Sequence, residues 1–144
     1  MDKNKIINDL KNYEPLKNTI QEARNVSRFL LDRYFSEVSY SKERRDWELD
    51  FFGEDISFIE KKWIFEILWE LETYKGWNFN ELKRRIKGIS SRILSDRLKE
   101  LEKNEIISRT VQDTHPPKVL YDLTEKGKGF VELMVILILF LKKI

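Results

Sequence analysis

Positive charge is concentrated in one short stretch of this sequence. Five basic residues stand between Phe79 and Arg92 against one acidic residue, Glu81; they are Lys83, Arg84, Arg85, Lys87 and Arg92. Residues 61–129 carry 15 Lys and Arg against 11 Asp and Glu, whereas residues 1–60 carry 10 against 13. Cations at this density neutralise the phosphates of nucleic acid and release their counterions. The middle of the chain is therefore the candidate region for binding a polyanion.

The helix predicted after Ser90 has leucines on one side and a polar stripe on the other. The stripe consists of Arg92, Ser95, Asp96 and Lys99. An arginine near a helix start can pair with O6 and N7 of guanine in the major groove, while Ser91 and Ser95 can bond to bases or phosphates. Asp96 repels phosphate, and two roles stay open for it: an ion pair with Arg92 one turn earlier, or acceptance of a hydrogen bond from a cytosine amino group.

Few residues in the chain suit catalysis or metal binding. There is no cysteine, and His115 is the only histidine. These counts exclude a disulfide framework, a thiolate metal site and a cysteine nucleophile, and metal ligands occur in clusters that this sequence lacks. We therefore expect a protein without enzymatic activity, metal or cofactor, and interpret His115 and Lys118 as contacts at the tip of a loop.

The first 60 residues are interpreted as a helical extension. One helix is predicted near Lys3 to Lys11, and a second from the Tyr13-Glu14-Pro15 break to about Val38. Ser41 is a suitable N-cap for a third helix, which we expect to end at Gly53.

Three closely spaced elements follow the extension. Ser57-Phe-Ile-Glu60 and Asn78-Phe-Asn-Glu81 are capping-box patterns, each followed by apolar residues at helical spacing. The first helix should stop near Lys75-Gly76, and Gly88 should close the second. Ser90 then caps a third helix almost at once. The order is helix, turn, helix.

The chain changes character after Asn104. Ile106 to Val111 and Lys118 to Leu123 favour β-strands and flank a proline-containing tip, so a hairpin is predicted. Thr124 is a plausible cap for the last helix. The apolar run from Phe130 to Leu141 has 12 residues, fewer than the roughly 20 that a membrane span needs. The N-terminus is polar and has no secretory signal, so we expect a cytoplasmic protein without a membrane partner.

A winged helix-turn-helix domain has this order of elements, in which helices are followed by a two-stranded hairpin. The residues that carry a family resemblance are Lys62-Trp63-Ile64-Phe65-Glu66-Ile67-Leu68, Phe79-Asn80-Glu81-Leu82, Gly88-Ile89-Ser90, Leu94-Ser95, Arg97-Leu98, Leu101-Glu102, Arg109, Pro116-Pro117, Tyr121-Asp122-Leu123-Thr124 and Gly127. Together they resemble the regulators of the HxlR type, from Lys61 to about Leu141. The resemblance implies a homodimer with its terminal helices at the subunit interface and one wing per subunit, bound to a pseudo-palindromic operator.

Three departures limit what the resemblance implies. The family usually has glycine where Glu105 stands, and we expect the left-handed residue to be Asn104 instead. Many relatives sense oxidants through a cysteine near the first helix, and this chain has none. The extension is also longer than the family's usual N-terminal segment, so its role is not implied.

A separate physical argument favours dimerisation. The segment from Val131 to Leu141 is apolar nearly all the way round and needs more cover than one small helical layer gives. The predicted interface residues are Phe130, Leu133, Met134, Leu137, Ile138 and Leu141. The alternative is an intramolecular core helix covered by the extension. The four tryptophans, Trp47, Trp63, Trp69 and Trp77, are interpreted as core and interface anchors.

The sequence thus predicts a mainly α fold with a small β-hairpin (α+β). It divides into a helical N-terminal extension (residues 1–56), a winged helix-turn-helix domain (57–129) and a C-terminal dimerisation helix (130–144). The predicted contacts with double-stranded DNA are Asn80, Lys83, Arg84, Lys87, Ser90, Ser91, Arg92, Ser95, Asp96, Lys99, His115 and Lys118. The predicted function is sequence-specific regulation of transcription.

Two other interpretations stay open. A cationic amphipathic helix pair can be a solvated surface, and a winged helix can serve as a protein-binding adaptor or a subunit of the transcription machinery without reading bases. A small-molecule effector, of unknown identity, is a further hypothetical partner. Its pocket would be lined by Trp47, Phe51, Phe52 and Trp63.

Overall fold

The computed structural model describes residues 2–142, and over that range the chain forms seven helices and one antiparallel hairpin. In chain order they are α1 (Lys3–Lys11), α2 (Glu14–Glu37), α3 (Lys42–Ile56), α4 (Ile64–Thr73), α5 (Phe79–Arg85), α6 (Ser91–Lys103), β1 (Ile107–Gln112), β2 (Lys118–Leu123) and α7 (Glu125–Leu141). Met1, Lys143 and Ile144, at the ends of the predicted extension and dimerisation helix, lie outside the described residues. The mainly α fold with a small hairpin is confirmed.

The described residues form two compact units. One comprises the residues up to Leu49 together with those from Met134 onward, and the other comprises Asp50–Leu133. Apolar side chains of α4, α5, α6, β1 and α7 form the core of the second unit. Those that are fully buried are Ile67, Leu68, Leu82, Leu94, Leu98, Leu101, Ile107 and Val131. This core fixes α5 and α6, which carry most of the predicted DNA contacts.

Short-range capping sets the first turns of the helices around this core. The Asn78 side chain accepts a hydrogen bond from Glu81 N at 2.9 Å, and Glu81 Oε2 accepts one from Asn78 N at 2.9 Å, which closes a capping box. Ser90 Oγ accepts from a backbone N–H in the first turn of α6 at 3.2 Å, and Thr124 Oγ1 does the same for α7 at 2.9 Å. Each bond satisfies an N–H that the helix itself leaves unpaired. The caps predicted at Asn78, Ser90 and Thr124 are confirmed.

The capping box predicted at Ser57 is wrong. Ser57 Oγ donates to a carbonyl of α3 at 3.2 Å, and α4 begins only at Ile64, directly after Trp63, which has a left-handed φ of 81°. The reason is the burial of Phe58, which is only 5% exposed and lies with its ring centroid 5.7 Å from that of Phe130. A helix starting at Ser57 would replace the irregular segment between α3 and α4 that buries Phe58.

Other boundaries shift by a few residues. α3 continues through Gly53 to Ile56, because a glycine weakens a helix by about 1 kcal/mol without necessarily ending it. β1 begins at Ile107, and the hairpin register pairs it with Leu123 at one end of the sheet. The two predicted strands of the wing are therefore present, and one of them is displaced by a single residue.

The left-handed residue that follows α6 is Glu105 and not Asn104 as predicted. The φ angle of Glu105 is 60°, whereas that of Asn104 is −84°. Ile106 N donates to Leu101 O at 2.9 Å, and Glu105 N donates to Glu102 O at 2.9 Å, which is the Schellman pattern of a helix C-terminus. Ile106 and Leu101 are both buried, so an apolar contact accompanies the pattern and determines which residue becomes left-handed.

We expect Glu105→Gly to raise the free energy of unfolding by about 1 kcal/mol, because a side chain in the left-handed region carries a penalty that glycine avoids. The exposed Lys126–Glu105 ion pair, at 3.8 Å, contributes little to oppose this gain. Urea denaturation measures the difference. Asn104→Gly is the control and should lower stability, since it removes the bond from Asn104 Nδ2 to Glu100 O at 2.8 Å. A loss of stability with Glu105→Gly would contradict this geometry.

In the first unit, a polar cluster joins α2 to α3. Ser41 Oγ accepts from Arg44 N at 3.1 Å and caps α3 as predicted. Tyr34 Oη donates to Glu48 Oε1 at 2.6 Å, and Arg44 Nε donates to the same oxygen at 2.7 Å. The hydrogen bond from Tyr34, together with the Arg44 guanidinium, holds the pKa of the Glu48 carboxyl below its usual value. The cluster fixes the side of α2 that faces α3.

Candidate nucleic-acid interface

A short turn between α5 and α6 keeps both helices on one core. Ile86 and Ile89 are buried on either side of Gly88, whose φ of 92° lies in the left-handed region. Glycine adopts that conformation without the penalty that a Cβ brings. Two short helices joined in this way form a helix-turn-helix, in which the second helix, here α6, is the one that enters the major groove.

A cleft between the start of α5 and β2 brings together cations that are distant in the sequence. Its volume is about 800 Å³, and it is lined by Asn78, Phe79, Asn80, Lys83, Arg84, Pro117, Lys118 and Val119. Four predicted contacts are among them: Asn80, Lys83, Arg84 and Lys118. The structure therefore joins the basic end of the helix pair to the wing in one surface.

The basic side chains of this region divide into engaged and unengaged groups. Arg85 Nε lies 3.2 Å from Glu70 Oε2, Arg97 Nε donates to Lys62 O at 3.1 Å, and Lys61 pairs with Glu100. Within residues 2–142, no hydrogen bond or ion pair holds the side chains of a second set, which is Arg84, Lys87, Arg92 and Lys99. All four are exposed, so their charges are available to an external anion.

α6 separates its apolar and polar residues as the periodicity predicted. Its three core leucines are buried, whereas Arg92, Asp96 and Lys99 are exposed and Ser95 is half-buried. No ion pair forms between Arg92 and Asp96 in the described part of the chain, so the guanidinium is not neutralised by its own helix. Ser91 is exposed beside it, while the Ser90 hydroxyl is occupied as the helix cap.

One protein-family model matches the part of the chain that contains the helix-turn-helix and the wing. The model described as HxlR-like helix-turn-helix matches residues 58–143, more than half of the chain. The chain belongs to the HxlR-like helix-turn-helix family. The extension before residue 58 lies outside the match.

Relatives of this HxlR-like protein agree with its fold. A Fusobacterium mortiferum protein named as the regulatory protein MalR is 42% identical over 79 residues, covering 55% of this chain and 74% of that protein. The diamide-treated crystal structure of YodB from Bacillus subtilis has 38% identity and a TM-score of 0.53, covering 56% of this chain and 79% of that chain. A chain from Enterococcus faecalis V583, described as a MarR-family transcriptional regulator, has 27% identity and a TM-score of 0.60, covering 74% and 90%. The winged helix-turn-helix fold is confirmed.

The wing of the HxlR-like domain presents its polar residues to solvent. His115 and Lys118 are exposed, and Thr114 Oγ1 donates to Pro116 O at 2.9 Å across the tip. The structure adds Arg109 to the candidates, because it is exposed in β1 and no intrachain hydrogen bond or ion pair engages its side chain in the described residues. Strand alternation could not have identified Arg109, because it places Arg109 on the same side of β1 as the buried Ile107.

α7 exposes an apolar row that fits the prediction of a dimerisation helix. Leu133, Leu137 and Leu141, spaced four residues apart, are 72%, 56% and 70% exposed. The other predicted interface residues are half-buried; they are Phe130, Met134 and Ile138. Within residues 2–142 no helix has the length and apolar character to cross a membrane.

Trp69 does not lie in the core, so of the two roles predicted for the tryptophans only that of an interface anchor stays open for it. Trp69 is 47% exposed and stacks on Phe65 with the ring centroids 5.9 Å apart. The buried residues of α4 are Ile64, Ile67, Leu68 and Leu71, which occupy the opposite side of the helix. Trp77, by contrast, is half-buried, and its Nε1 donates to Glu70 O at 2.8 Å. The HxlR-like domain therefore anchors one of these two indoles and exposes the other.

Proposed function

We propose that this HxlR-like protein is a homodimeric, sequence-specific DNA-binding regulator of transcription that recognises a pseudo-palindromic operator. The observation that carries the proposal is a group of exposed cations around the α5–α6 turn that no ion pair or hydrogen bond holds within residues 2–142; it includes Arg84, Lys87, Arg92 and Lys99. Arg85, by contrast, pairs with Glu70 at 3.2 Å, so the fold engages some cations of this region and leaves these four exposed to solvent, where they can contact an external anion. Curated relatives, among them YodB of Bacillus subtilis, are named as HTH-type transcriptional regulators, which supports the same assignment.

In the proposed complex, α6 lies in the major groove and its neighbours contact the backbone. Arg92, near the start of α6, reaches O6 and N7 of a guanine, and Ser91 bonds to a base edge or a phosphate. The cleft residues Lys83 and Arg84 contact phosphates on one side of the groove, as does Lys118 from the wing. Phosphate contacts position the domain, and base contacts specify the sequence.

Dimerisation through α7 would give the protein two reading helices. The exposed row Leu133, Leu137 and Leu141 supplies the apolar surface, and burial of such a row between two copies removes it from water on both. A two-fold dimer presents its two α6 helices to half-sites one helical turn apart, about 34 to 36 Å. The operator should therefore have two-fold symmetry.

Selection of bound duplexes from a random pool tests the proposal. We expect a motif with two inverted half-sites, bound with an affinity that falls by powers of ten between low and moderate salt, as contacts to about 6 to 10 phosphates require. A protein-binding adaptor would select no motif and show no such dependence on salt. Failure to retain any duplex at minimal ionic strength would overturn the proposal.

We expect Arg92→Ala to weaken binding to the selected operator by about 1 to 3 kcal/mol, because it removes a bidentate contact to guanine. Binding to an unrelated duplex should change much less, since that affinity comes from phosphates. Fluorescence anisotropy with both duplexes measures the two effects. Arg84→Ala is the comparison and should weaken both duplexes alike, because in the proposed complex the exposed Arg84 contacts only phosphate. An equal loss on both duplexes with Arg92→Ala would show that Arg92 does not read a base.

A further inference from the structure

α2 is apolar on two different sides, and within residues 2–142 hydrogen bonds and ring contacts to another helix involve only one of them. The first side carries Leu31, Tyr34 and Phe35, and Val38 follows at the C-cap of α2. Tyr34 bonds to Glu48 of α3 at 2.6 Å, and the Arg44 guanidinium lies over the Tyr34 and Phe35 rings at 4.8 and 5.8 Å. This side of α2 is therefore committed to the contact with α3.

The second side carries Val26, Phe29 and Leu30, which are 59%, 63% and 57% exposed. At about 100° of rotation per residue, this stripe lies roughly 140° round the helix from the side that faces α3. Among residues 2–142, no hydrogen bond or ring contact joins these side chains to another element. Contiguous exposed apolar residues of this kind mark an interaction surface.

The charged residues at the two ends of the stripe are complementary to each other. Glu22 stands one turn before Val26, and within the described residues no hydrogen bond or ion pair engages its carboxylate. Arg33 stands one turn after Phe29, and its one ion pair within residues 2–142 is with Glu37 of its own helix, at 3.1 Å and largely exposed. A second α2 laid antiparallel places Glu22 of each copy opposite Arg33 of the other. A parallel arrangement would place like charges together.

We propose that α2 is a self-association surface, through which two copies of the chain pair antiparallel with Val26, Phe29 and Leu30 at the centre and two Glu22–Arg33 ion pairs at the ends. The same register places Val26 of each copy opposite Phe29 of the other. One two-fold axis therefore produces both the apolar and the charged contacts. The proposal concerns the extension that the family match leaves out, and it does not depend on DNA binding.

Charge and size limit what the partner can be. α2 contains four acidic and four basic residues, so it offers no net attraction to nucleic acid or to an anionic membrane. Three apolar side chains and two ion pairs make a small interface beside the roughly 800 Å² per partner of a standard one. A second copy, whose stripe is complementary by symmetry, satisfies both limits, and the pairing should be weak and dependent on protein concentration.

Charge reversal tests the register. Full-length Glu22→Arg and Arg33→Glu chains should each self-associate about tenfold more weakly than the parent, because each places two like-charge pairs across the axis. An equimolar mixture of the two variants should recover the parent's association, since both contacts between unlike chains are then attractive. Sedimentation equilibrium measures all three samples. Because α7 can also associate, the series is repeated with Leu137→Glu in every chain.

Arg28→Glu is the matched control. Arg28 lies on the far side of α2 from the stripe, and its exposed i, i+4 pair with Asp32, at 3.9 Å, corresponds to the Arg33–Glu37 pair. This variant should associate like the parent. Two results would overturn the proposal: a mixture that associates no better than the separate variants, or a Phe29→Glu chain with unchanged association. A Phe29→Glu loss without recovery in the mixture would mean that the stripe contacts some other surface.

Cysteine cross-linking provides a second readout, which is favoured by the absence of native cysteine. Val26→Cys and Phe29→Cys chains mixed under mild oxidation should form a disulfide between unlike chains faster than either forms one alone. Arg28→Cys, on the far side of the helix, should cross-link slowly with both. Equal rates in all combinations would exclude the antiparallel register.

Discussion

Gly127→Ala is expected to lower the free energy of unfolding by about 3 kcal/mol. A Cβ at this position would lie 2.0 Å from Ile106 O and 3.0 Å from Ile106 C. That carbonyl cannot move aside freely, because it accepts hydrogen bonds from Thr124 N and Thr124 Oγ1, both at 3.1 Å. The clash is with backbone and not with the end of a flexible side chain, which places the cost at the upper end of the range for overpacked sites.

Gly129→Ala is the matched control for this prediction. Gly129 lies in the same helix, and apart from its chain neighbours and the adjacent helix backbone, a Cβ there would meet no heavy atom of the described residues within 4 Å. Both substitutions gain helix propensity, so Gly129→Ala should raise stability by about 0.5 to 1 kcal/mol. Urea denaturation of the two variants isolates the clash as the difference between them. Similar changes in both would show that α7 does not approach the start of the hairpin so closely.

Features set by neighbouring residues could be predicted from the sequence. The capping box at Asn78 needs only a side-chain oxygen and Glu81 three residues later, and the periodicity of Leu94 and Leu98 is enough to orient α6. The same periodicity places Arg92 on the solvent side. Local hydrogen bonds and burial of one face act in the same direction at these positions, which is why the interpretation and the structure agree.

Features set by contacts between distant residues could not be predicted from the sequence. Ser57 has the residue types of a capping box, but the burial of Phe58 against Phe130 decides the local conformation. Glu105 becomes left-handed because the buried Ile106 must return to the end of α6, although Asn104 is the better residue for that conformation. In each case a tertiary apolar contact outweighs a local preference.

The candidate site combines features set by neighbouring residues with features set by contacts between distant ones. The sequence identifies Lys83 and Arg84 as part of a basic cluster and Lys118 as part of a hairpin. Their meeting in one cleft depends on how the hairpin packs beside α5, which no spacing in the sequence encodes. Nor does composition show that Arg85 is neutralised by Glu70 while Arg84 is not. That difference provides the sharpest test of the proposed DNA contacts.

Replacing both Arg84 and Lys87 by alanine is expected to weaken binding to any duplex by roughly a thousandfold near 0.1 M salt. In a homodimer the double variant removes four exposed cations, and each phosphate contact contributes about 0.9 to the slope of log affinity against log salt. The slope should therefore become shallower by about 3 to 4. The loss should be similar for operator and unrelated DNA, since phosphates carry no sequence information. Anisotropy titrations across a salt series give both quantities.

The control changes the net charge equally but removes cations that the fold already uses. Lys61 is paired with Glu100, and Arg85 with Glu70, so the Lys61→Ala/Arg85→Ala chain loses the same two charges from the same domain. If specific contacts govern binding, this variant should keep nearly the parent's slope. If long-range attraction from net charge governs it, both double variants should lose affinity to the same extent. Equal losses would thus contradict the assignment of Arg84 and Lys87 as phosphate contacts, while leaving DNA binding itself in place.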